Sequence, residues 1–336
     1  MSWLWSLAAP LAVLLLAALA TRGVLVVLQR KSVLDHPNHR SSHSAPVPRG
    51  GGIAVMAALS AGWLAYALTA PEILAPMLVV LGAAVMLAVV SFIDDLRDLT
   101  ALTRILFQFL AVLLGLMVIA EQGLVFQGWL PPMLDLALVA LVWLWFINLF
   151  NFMDGIDGLA GLEAICLSLG LVLAGVLAGF QAPALMLAAA AAGFLLFNWS
   201  PARVFLGDVG SVPMGYLLGF LLLAAAAEGA WAPALILPLY YLADATITLG
   251  RRVLRGEKFW HGHRQHFYQQ AVRRGFSHAA VSRRVLIANA LLIVLALLAG
   301  RGHLLLALLG AVLVVGALLL WMARARPVVP ASAPAA

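Results

Sequence analysis

Asn148-Leu-Phe-Asn-Phe-Met-Asp-Gly-Ile-Asp-Gly-Leu-Ala-Gly161 begins at the end of one long apolar run and finishes at the start of the next. It places two amides, Asn148 and Asn151, and two carboxylates, Asp154 and Asp157, with a glycine after each acid. The runs on either side approach the ~20 residues that cross a bilayer as a helix. Unpaired backbone groups cost several kcal/mol each in hydrocarbon. A stretch this irregular therefore belongs at a membrane–water boundary or along a polar cleft.

The same alternation of apolar run and short polar connection fills the chain. Of 336 residues, 64% are hydrophobic and 10% charged, with a mean hydropathy of +1.05. A soluble globule carries roughly 25% charged residues. The expected fold class is all-α, a polytopic integral membrane protein; a barrel would alternate over ~10-residue segments. Eleven spans are counted, at about 3–28, 51–70, 73–93, 103–120, 133–150, 159–180, 183–198, 212–227, 231–249, 285–300 and 303–322. The first has no basic region before it and no small-residue cleavage pattern, so it reads as a retained span. Residues 1–325 are expected to form one transmembrane domain, and the Pro- and Ala-rich 326–336 a disordered tail. A single cysteine, Cys166, excludes a disulfide or cysteine-based metal framework.

The net charge of +6 does not point to nucleic acid, because its distribution follows the loops. Eighteen of the twenty Lys and Arg residues fall in odd-numbered loops or after the last span; Arg22 and Arg301 are the others. The positive-inside bias then makes the odd loops and the C-terminus cytoplasmic and the N-terminus periplasmic.

Every polar cluster lies in an odd loop. The first loop, Asp35 to Gly52, carries His36, His39, His43, Arg40 and Arg49 ahead of a glycine run. Glycines and cations at a helix start suit an anion such as phosphate; the plainer reading is a solvated basic loop. The second carries Asp94-Asp95-x-x-Asp98. Asp94 and Asp98 are expected to share a helical face, with Asp95 beside Asp98. Like charges this close need relief, and hard oxygen ligands suit magnesium; an acidic helix cap is the alternative. In the third, Asn148, Asn151, Asp154 and Asp157 recur every three residues and are expected to line one helical face. Helix capping would explain one such acid but not four aligned polar groups.

In the fourth loop, Asn198 is followed by Asp208, which has Gly207 before it and Gly210 after. These glycines admit a ligand close to the backbone; a capping Asp before the eighth span is the bland alternative. The fifth, Arg251 to Arg284, contains His261-Gly-His263-Arg264-Gln-His266. Histidine and arginine fit a pyrophosphate. A basic segment lying on an anionic leaflet, including Arg273 and Arg274, would look the same. Glu163 and Asp244 are acids inside spans and are functional candidates on that ground. The simplest chemistry common to these loops is magnesium-assisted phosphoryl transfer, with acids for the metal and cations for phosphates. A site at the membrane implies a lipid phosphate substrate.

These residues resemble the polyprenyl-phosphate N-acetylhexosamine-1-phosphate transferases, also called glycosyl transferase family 4, and most of all their WbpL/WecA-type branch. The resemblance runs from Pro48-Arg-Gly-Gly-Gly52 to the fifth loop. It rests on Asp94-Asp95-x-x-Asp98, Asn148-x-x-Asn151-x-x-Asp154-Gly-Ile-Asp157-Gly-Leu159 and Phe205-Leu-Gly-Asp208-Val-Gly-Ser211. Asp98 looks like the sugar-transferase branch; the muramoyl-pentapeptide branch usually has Lys there. His263-Arg264-Gln265-His266 departs from the family's His-x-His-His element.

The resemblance implies transfer of an N-acetylhexosamine 1-phosphate (FucNAc, QuiNAc or GlcNAc type) from a UDP-sugar to undecaprenyl phosphate, with release of UMP. This step would initiate O-antigen, lipopolysaccharide or related cell-envelope glycan synthesis at the bacterial inner membrane, from its cytoplasmic face. It further implies Mg²⁺, or Mn²⁺ in its place, on Asp208 with Asp94, and Asp94 or Asp95 deprotonating or orienting the lipid phosphate. Asn151, Asp154 and Asp157 would hold the nucleotide, with Asn198 nearby. His263, Arg264 and His266 would steady the diphosphate, and Asp98, Asn148 and Arg49 complete the substrate-binding set. A phospho-aspartate route stays open, as does a homodimer; the partners are membrane lipid and nucleotide sugar, with no nucleic acid. The rival is a transporter or flippase for a lipid-linked anion, which predicts polar groups at mid-bilayer depth and an inverted repeat.

Overall fold

A computed structural model describes residues 3–35, 37, 42, 46–177, 179–257 and 262–324. The expectations for His36, His39, Arg40, His43 and His261, and for the tail 326–336, lie outside the described residues. Leu4–Ala8 forms a π-helical turn that runs into α1 (Ala9–Arg30). There follow α2 (Gly52–Ala67), α3 (Pro71–Arg97), α4 (Ala101–Gln122), α5 (Pro132–Phe152), α6 (Leu159–Ala174) and α7 (Gln181–Asn198). The chain continues with α8 (Asp208–Ala227), α9 (Trp231–Ile236), α10 (Leu239–Leu254), α11 (Phe267–Arg273), α12 (His278–Gly300) and α13 (Leu304–Arg324). Among the described residues the strands are β1 (Leu34–Asp35) and β2 (Val47–Pro48), paired antiparallel with Leu34 opposite Pro48. The protein is thus an all-α, multi-pass membrane protein. Eight helical segments among the described residues are long and apolar enough to cross a bilayer, and two shorter apolar helices, α2 and α6, accompany them.

α8 is the axis of the bundle. From Val209 to Ala227 every residue is buried, and α2, α3, α4, α5, α6 and α9 all pack on it. Small residues let the neighbours close in. A Cβ on Gly215 would press on Ile147 and Phe150 of α5, and one on Gly219 would press on the Trp143 ring. Trp143 instead stacks on Tyr216 at 4.8 Å and donates its indole N–H to the Tyr216 carbonyl at 3.0 Å. Close packing of this kind takes over from the hydrophobic effect inside lipid. The outer helices α1, α12 and α13 carry exposed leucines and valines such as Leu15, Leu291 and Leu313.

Four sequence expectations change. The span expected at 231–249 is broken into α9 and α10, because Pro238 has no N–H to continue the ladder. α3 ends at Arg97, and Asp98 adopts a left-handed conformation (φ 46°), so Asp98 leaves the helical face of Asp94. α5 ends at Phe152, and the next six residues form a turn closed by left-handed Gly158 (φ 78°). Asp154 and Asp157 therefore do not continue the helical face of Asn148 and Asn151. Finally, the fifth loop is shortened by a helix of its own, α11, and by α12 starting at His278 rather than near 285.

The start of α2 is docked directly onto the start of α8. Phe205 N–H donates to the Pro48 carbonyl (2.8 Å), Gly51 N–H to that of Phe205 (2.9 Å) and Gly52 N–H to that of Leu206 (2.8 Å). Gly52 sits against the backbone of Gly210, where any Cβ would collide. Gly52→Ala is expected to destabilise the protein by about 1–3 kcal/mol or more by overpacking, read as a lower melting temperature in detergent; an unchanged melting temperature would show that this contact is slack.

Candidate active site

The docking of α2 on α8 carries Arg49 to the mouth of α8. Its Nη2 lies 2.7 Å from Asp208 Oδ1 and 3.1 Å from Asp95 Oδ1. Asp208 is the first residue of α8, preceded by the positive-φ turn at Gly207, where the helix dipole favours an anion. Burial opposes the charge on Arg49, but Asp208, Asp95 and Asp35 outweigh it and hold the guanidinium above its usual range. Asp94, one residue earlier on α3, points elsewhere. It accepts from Leu99 N–H (2.7 Å) and pairs with Arg104 of α4 (3.2 Å), closing the turn that Asp98 creates. Of the acidic trio, Asp95 is the one that shares a cation with Asp208.

Asn151 reaches the same place from the end of α5, its Oδ1 accepting from Ser211 Oγ at 2.6 Å. Ser211 stands in the α8 motif but attracted no role in the sequence. Asp154 follows in the turn. Burial, then the charge on Asp208, pushes its carboxyl up to about 8, with Arg49 pulling the other way. The residue keeps some exposed surface, and the crowding of protein around the carboxyl is what counts. Any further cation beside Asp208 acts in the same sense as Arg49, so the charge on Asp154 follows occupancy of the cleft. Asn148 is set apart: its amide donates to Gln108 Oε1 on α4 and to Leu144 O, both at 2.8 Å.

Asp157 belongs to a second group. Its Oδ1 faces His278 Nδ1 at 3.0 Å, its Oδ2 accepts from Ala202 N–H at 3.1 Å, and its carbonyl accepts from Ser282 Oγ at 2.9 Å. His278 Nε2 in turn faces the Ser42 carbonyl at 3.1 Å. Asn198, buried at the end of α7, uses both ends of its amide: Oδ1 accepts from Gly158 N–H and Nδ2 donates to Val204 O, each at 2.9 Å. It clamps the Asp154–Gly158 turn to the loop that leads to Asp208. His278 and Ser282 carry no sequence signal beyond their polarity near a helix start.

The third group comes from α10 and the fifth loop. Asp244 is fully buried and accepts from Phe267 N–H (3.0 Å) and Tyr268 N–H (3.2 Å), and it faces His266 Nδ1 (3.1 Å). It is the anion at the N-terminus of α11, which accounts for its place in a span. His263 stacks on His266 at 4.9 Å. Burial first, then the neighbouring His266 and Arg252, lowers His263 to about 4 against the opposing Glu257 and Asp244. Its Nδ1 accepts from Gln265 N–H at 3.2 Å, which leaves Nε2–H as the donor of a neutral ring. Arg264 lies in this loop between them. The groups are joined by Tyr268, whose hydroxyl donates to Phe152 O at 2.9 Å and rests on Gly155, where a Cβ would collide with it.

Among the described residues, no set of three His, Cys, Asp or Glu side chains is arranged to hold a metal by protein ligands alone. Asp95 and Asp208 nevertheless converge on a single cationic nitrogen. Two hard carboxylates on one point fit magnesium of the kind whose shell is completed by substrate phosphates.

Asn198→Ala would orphan two buried backbone groups, at about 1–3 kcal/mol each, and is expected to lower the melting temperature and loosen the Asp154–Gly158 turn to hydrogen exchange. For Asp157, burial raises the pKa, but His278, Ala202 and Ser200 outweigh it and bring it below the ordinary 3.8. A lowered folded pKa adds stability above the unfolded value, lost as pH falls through the folded one. His278→Ala is therefore expected to melt below wild type at neutral pH, with the gap closing as pH drops below about 4; a gap independent of pH would remove the ion pair from the account.

Residues 77–226 match the family model described as glycosyl transferase family 4. That segment includes Asp94, Asp95, Asp98, Asn148 to Asp157, Asn198 and Asp208. A probable undecaprenyl-phosphate N-acetylglucosaminyl 1-phosphate transferase of Bacillus subtilis is 26% identical over 73% of this chain and 71% of its own. A decaprenyl-phosphate N-acetylglucosaminephosphotransferase of Mycobacterium leprae is 28% identical over 78% and 75%. A phospho-N-acetylmuramoyl-pentapeptide-transferase of Streptococcus thermophilus is 36% identical, over 20% of this chain and 24% of its own. Through residues 77–226 and this pattern of relatives, the chain is similar to glycosyl transferase family 4.

Proposed function

We propose that the protein transfers an N-acetylhexosamine 1-phosphate from a UDP-sugar to a polyprenyl phosphate, which we assign as undecaprenyl phosphate, and releases UMP. The observation that carries this reading is the meeting of Arg49, from the segment before α2, with Asp95 near the end of α3 and Asp208 at the start of α8, beside Asn151 and Asp154. The positive-inside bias supports a cytoplasmic placement of this face, in our reading at a bacterial inner membrane. The names of two long-matching relatives contain N-acetylglucosamine, which makes UDP-GlcNAc the first donor to test, ahead of the FucNAc and QuiNAc types. Initiation of O-antigen or a related cell-envelope glycan is the pathway role we assign.

In the reaction an oxygen of the lipid phosphate attacks the phosphorus bearing the sugar. The new P–O bond forms as the bond from that phosphorus to the oxygen shared with UMP breaks, and the electron pair leaves with UMP. Asp95 takes a proton from the attacking phosphate or orients it; Asp94 is engaged with Leu99 and Arg104. Mg²⁺ held by Asp208 with Asp95 would neutralise charge on the diphosphate. Arg49 supplies a second cation beside these carboxylates. Asn151 and Asp154 line the nucleotide side, with Asp157 and Asn198 fixing that turn. The neutral His263 donates from Nε2 to the diphosphate, and His266, locked by Asp244, holds His263 by stacking.

Purified protein with undecaprenyl phosphate, Mg²⁺ and a panel of UDP-N-acetylhexosamines is expected to release UMP. Asp95→Asn and Asp208→Asn should each lower the rate by about 10²–10⁴, whereas Asp94→Asn should act mainly through stability. Absence of UMP with every donor would transfer the assignment to a carrier of lipid-linked anions.

A further inference from the structure

The arginines at the α11–α12–α13 corner bear no part of the proposed reaction, and their charge is uncompensated among the described residues. The chain has no Asp or Glu beyond Glu257. Arg273, Arg274, Arg283, Arg284 and Arg324 nevertheless gather at the end of α11, the first turns of α12 and the end of α13. None of the five takes part in the ion pairs of the described residues. Below them, α12 and α13 enclose an apolar groove of about 440 Å³, open outward.

Arg284 stands at the head of this groove. Its guanidinium lies 4.2 Å from the Trp321 ring and 5.9 Å from Phe276. Among the described residues its hydrogen bond is to the Ala280 carbonyl, at 3.3 Å. Ile287 and Leu291 of α12 and Leu313 and Ala317 of α13 continue the walls away from it. His278, six residues before Arg284, meets Asp157 at the polar face. At 1.5 Å per residue, Arg284 is then ~9 Å below that face, and the groove runs ~10 Å further to Leu291. That is headgroup depth for the cation and acyl-chain depth for the walls.

We propose that this groove is a binding site for an anionic phospholipid of the surrounding bilayer, with the phosphate on Arg284 and one acyl chain against Ile287, Leu291, Leu313 and Ala317. A guanidinium backed by an aromatic ring presents its remaining N–H donors to a phosphate. A cation at this depth with no acid beside it is balanced by the anionic lipid surface. A neutral lipid would satisfy the walls but leave five arginines without a counter-charge.

The test is native mass spectrometry of the full-length protein with phosphatidylglycerol, phosphatidylcholine as the neutral control and undecaprenyl phosphate as competitor. Wild type is expected to retain phosphatidylglycerol over phosphatidylcholine, and Arg284→Gln to lose that preference by about fivefold, with Arg284→Lys retaining much of it. Ala317→Trp, which fills the groove without touching the charge, is expected to remove the same adduct while UMP release persists. The proposal is overturned if both Arg284→Gln and Ala317→Trp leave phosphatidylglycerol retention unchanged in monodisperse protein. It is equally overturned if undecaprenyl phosphate displaces the bound lipid mole for mole, or if the variants dissociate a dimer without altering lipid retention, which would make a second copy the occupant.

Discussion

Everything at the polar face depends on one guanidinium held between two carboxylates. Asp95 and Asp208 come from helices α3 and α8, and brought together alone they would repel. Arg49 removes that repulsion, and it is placed not by its own flexible stem but by backbone. Three hydrogen bonds and the contact of Gly52 with Gly210 fix the residues on either side. Gly51 and Gly52 of Pro48-Arg-Gly-Gly-Gly52 are thus explained by closeness of approach and Gly50 by its positive φ of 122°, reasons that stand beside the anion binding their sequence suggested.

The spans were legible because hydropathy over twenty residues survives any detail of packing. The polar residues of the site were legible too, since an acid at the rim of an apolar run has few reasons to be there. Their partnerships were not. Asp94 and Asp95 are indistinguishable as neighbours in sequence, yet one residue of helical rotation sends the first to Arg104 and the second to Arg49. The spacing of Asn151, Asp154 and Asp157 suggested one helical face, but α5 stops at Phe152 and the glycines take the chain through a turn. That turn is held from outside, by Asn198 and Tyr268, which lie 40 residues and more away in the chain. His278 escaped notice for the same reason: its meaning is its contact with Asp157 and not any pattern around itself.

The two acids within spans met different fates. Asp244 is spent on structure, taking two backbone N–H groups and His266 so that α11 can begin in a buried setting. Glu163 accepts from Asn289 Nδ2 at 2.7 Å, while Glu163 Oε1 and Asn289 Oδ1 have no partner among the described residues. An acid inside a membrane helix is therefore a signal that something must satisfy it, and only the fold says whether that something is scaffold or substrate.

α8 has no side turned to lipid. A molecule dissolved in the bilayer first meets outer helices such as α1, α3, α4, α12 and α13. Approach to that carboxylate is end-on, past Arg49 and the Asp154 turn. A membrane-borne substrate must accordingly bring its polar head to the end of α8 while its chain stays among apolar helices, and an inhibitor of the site needs a polar head able to do the same.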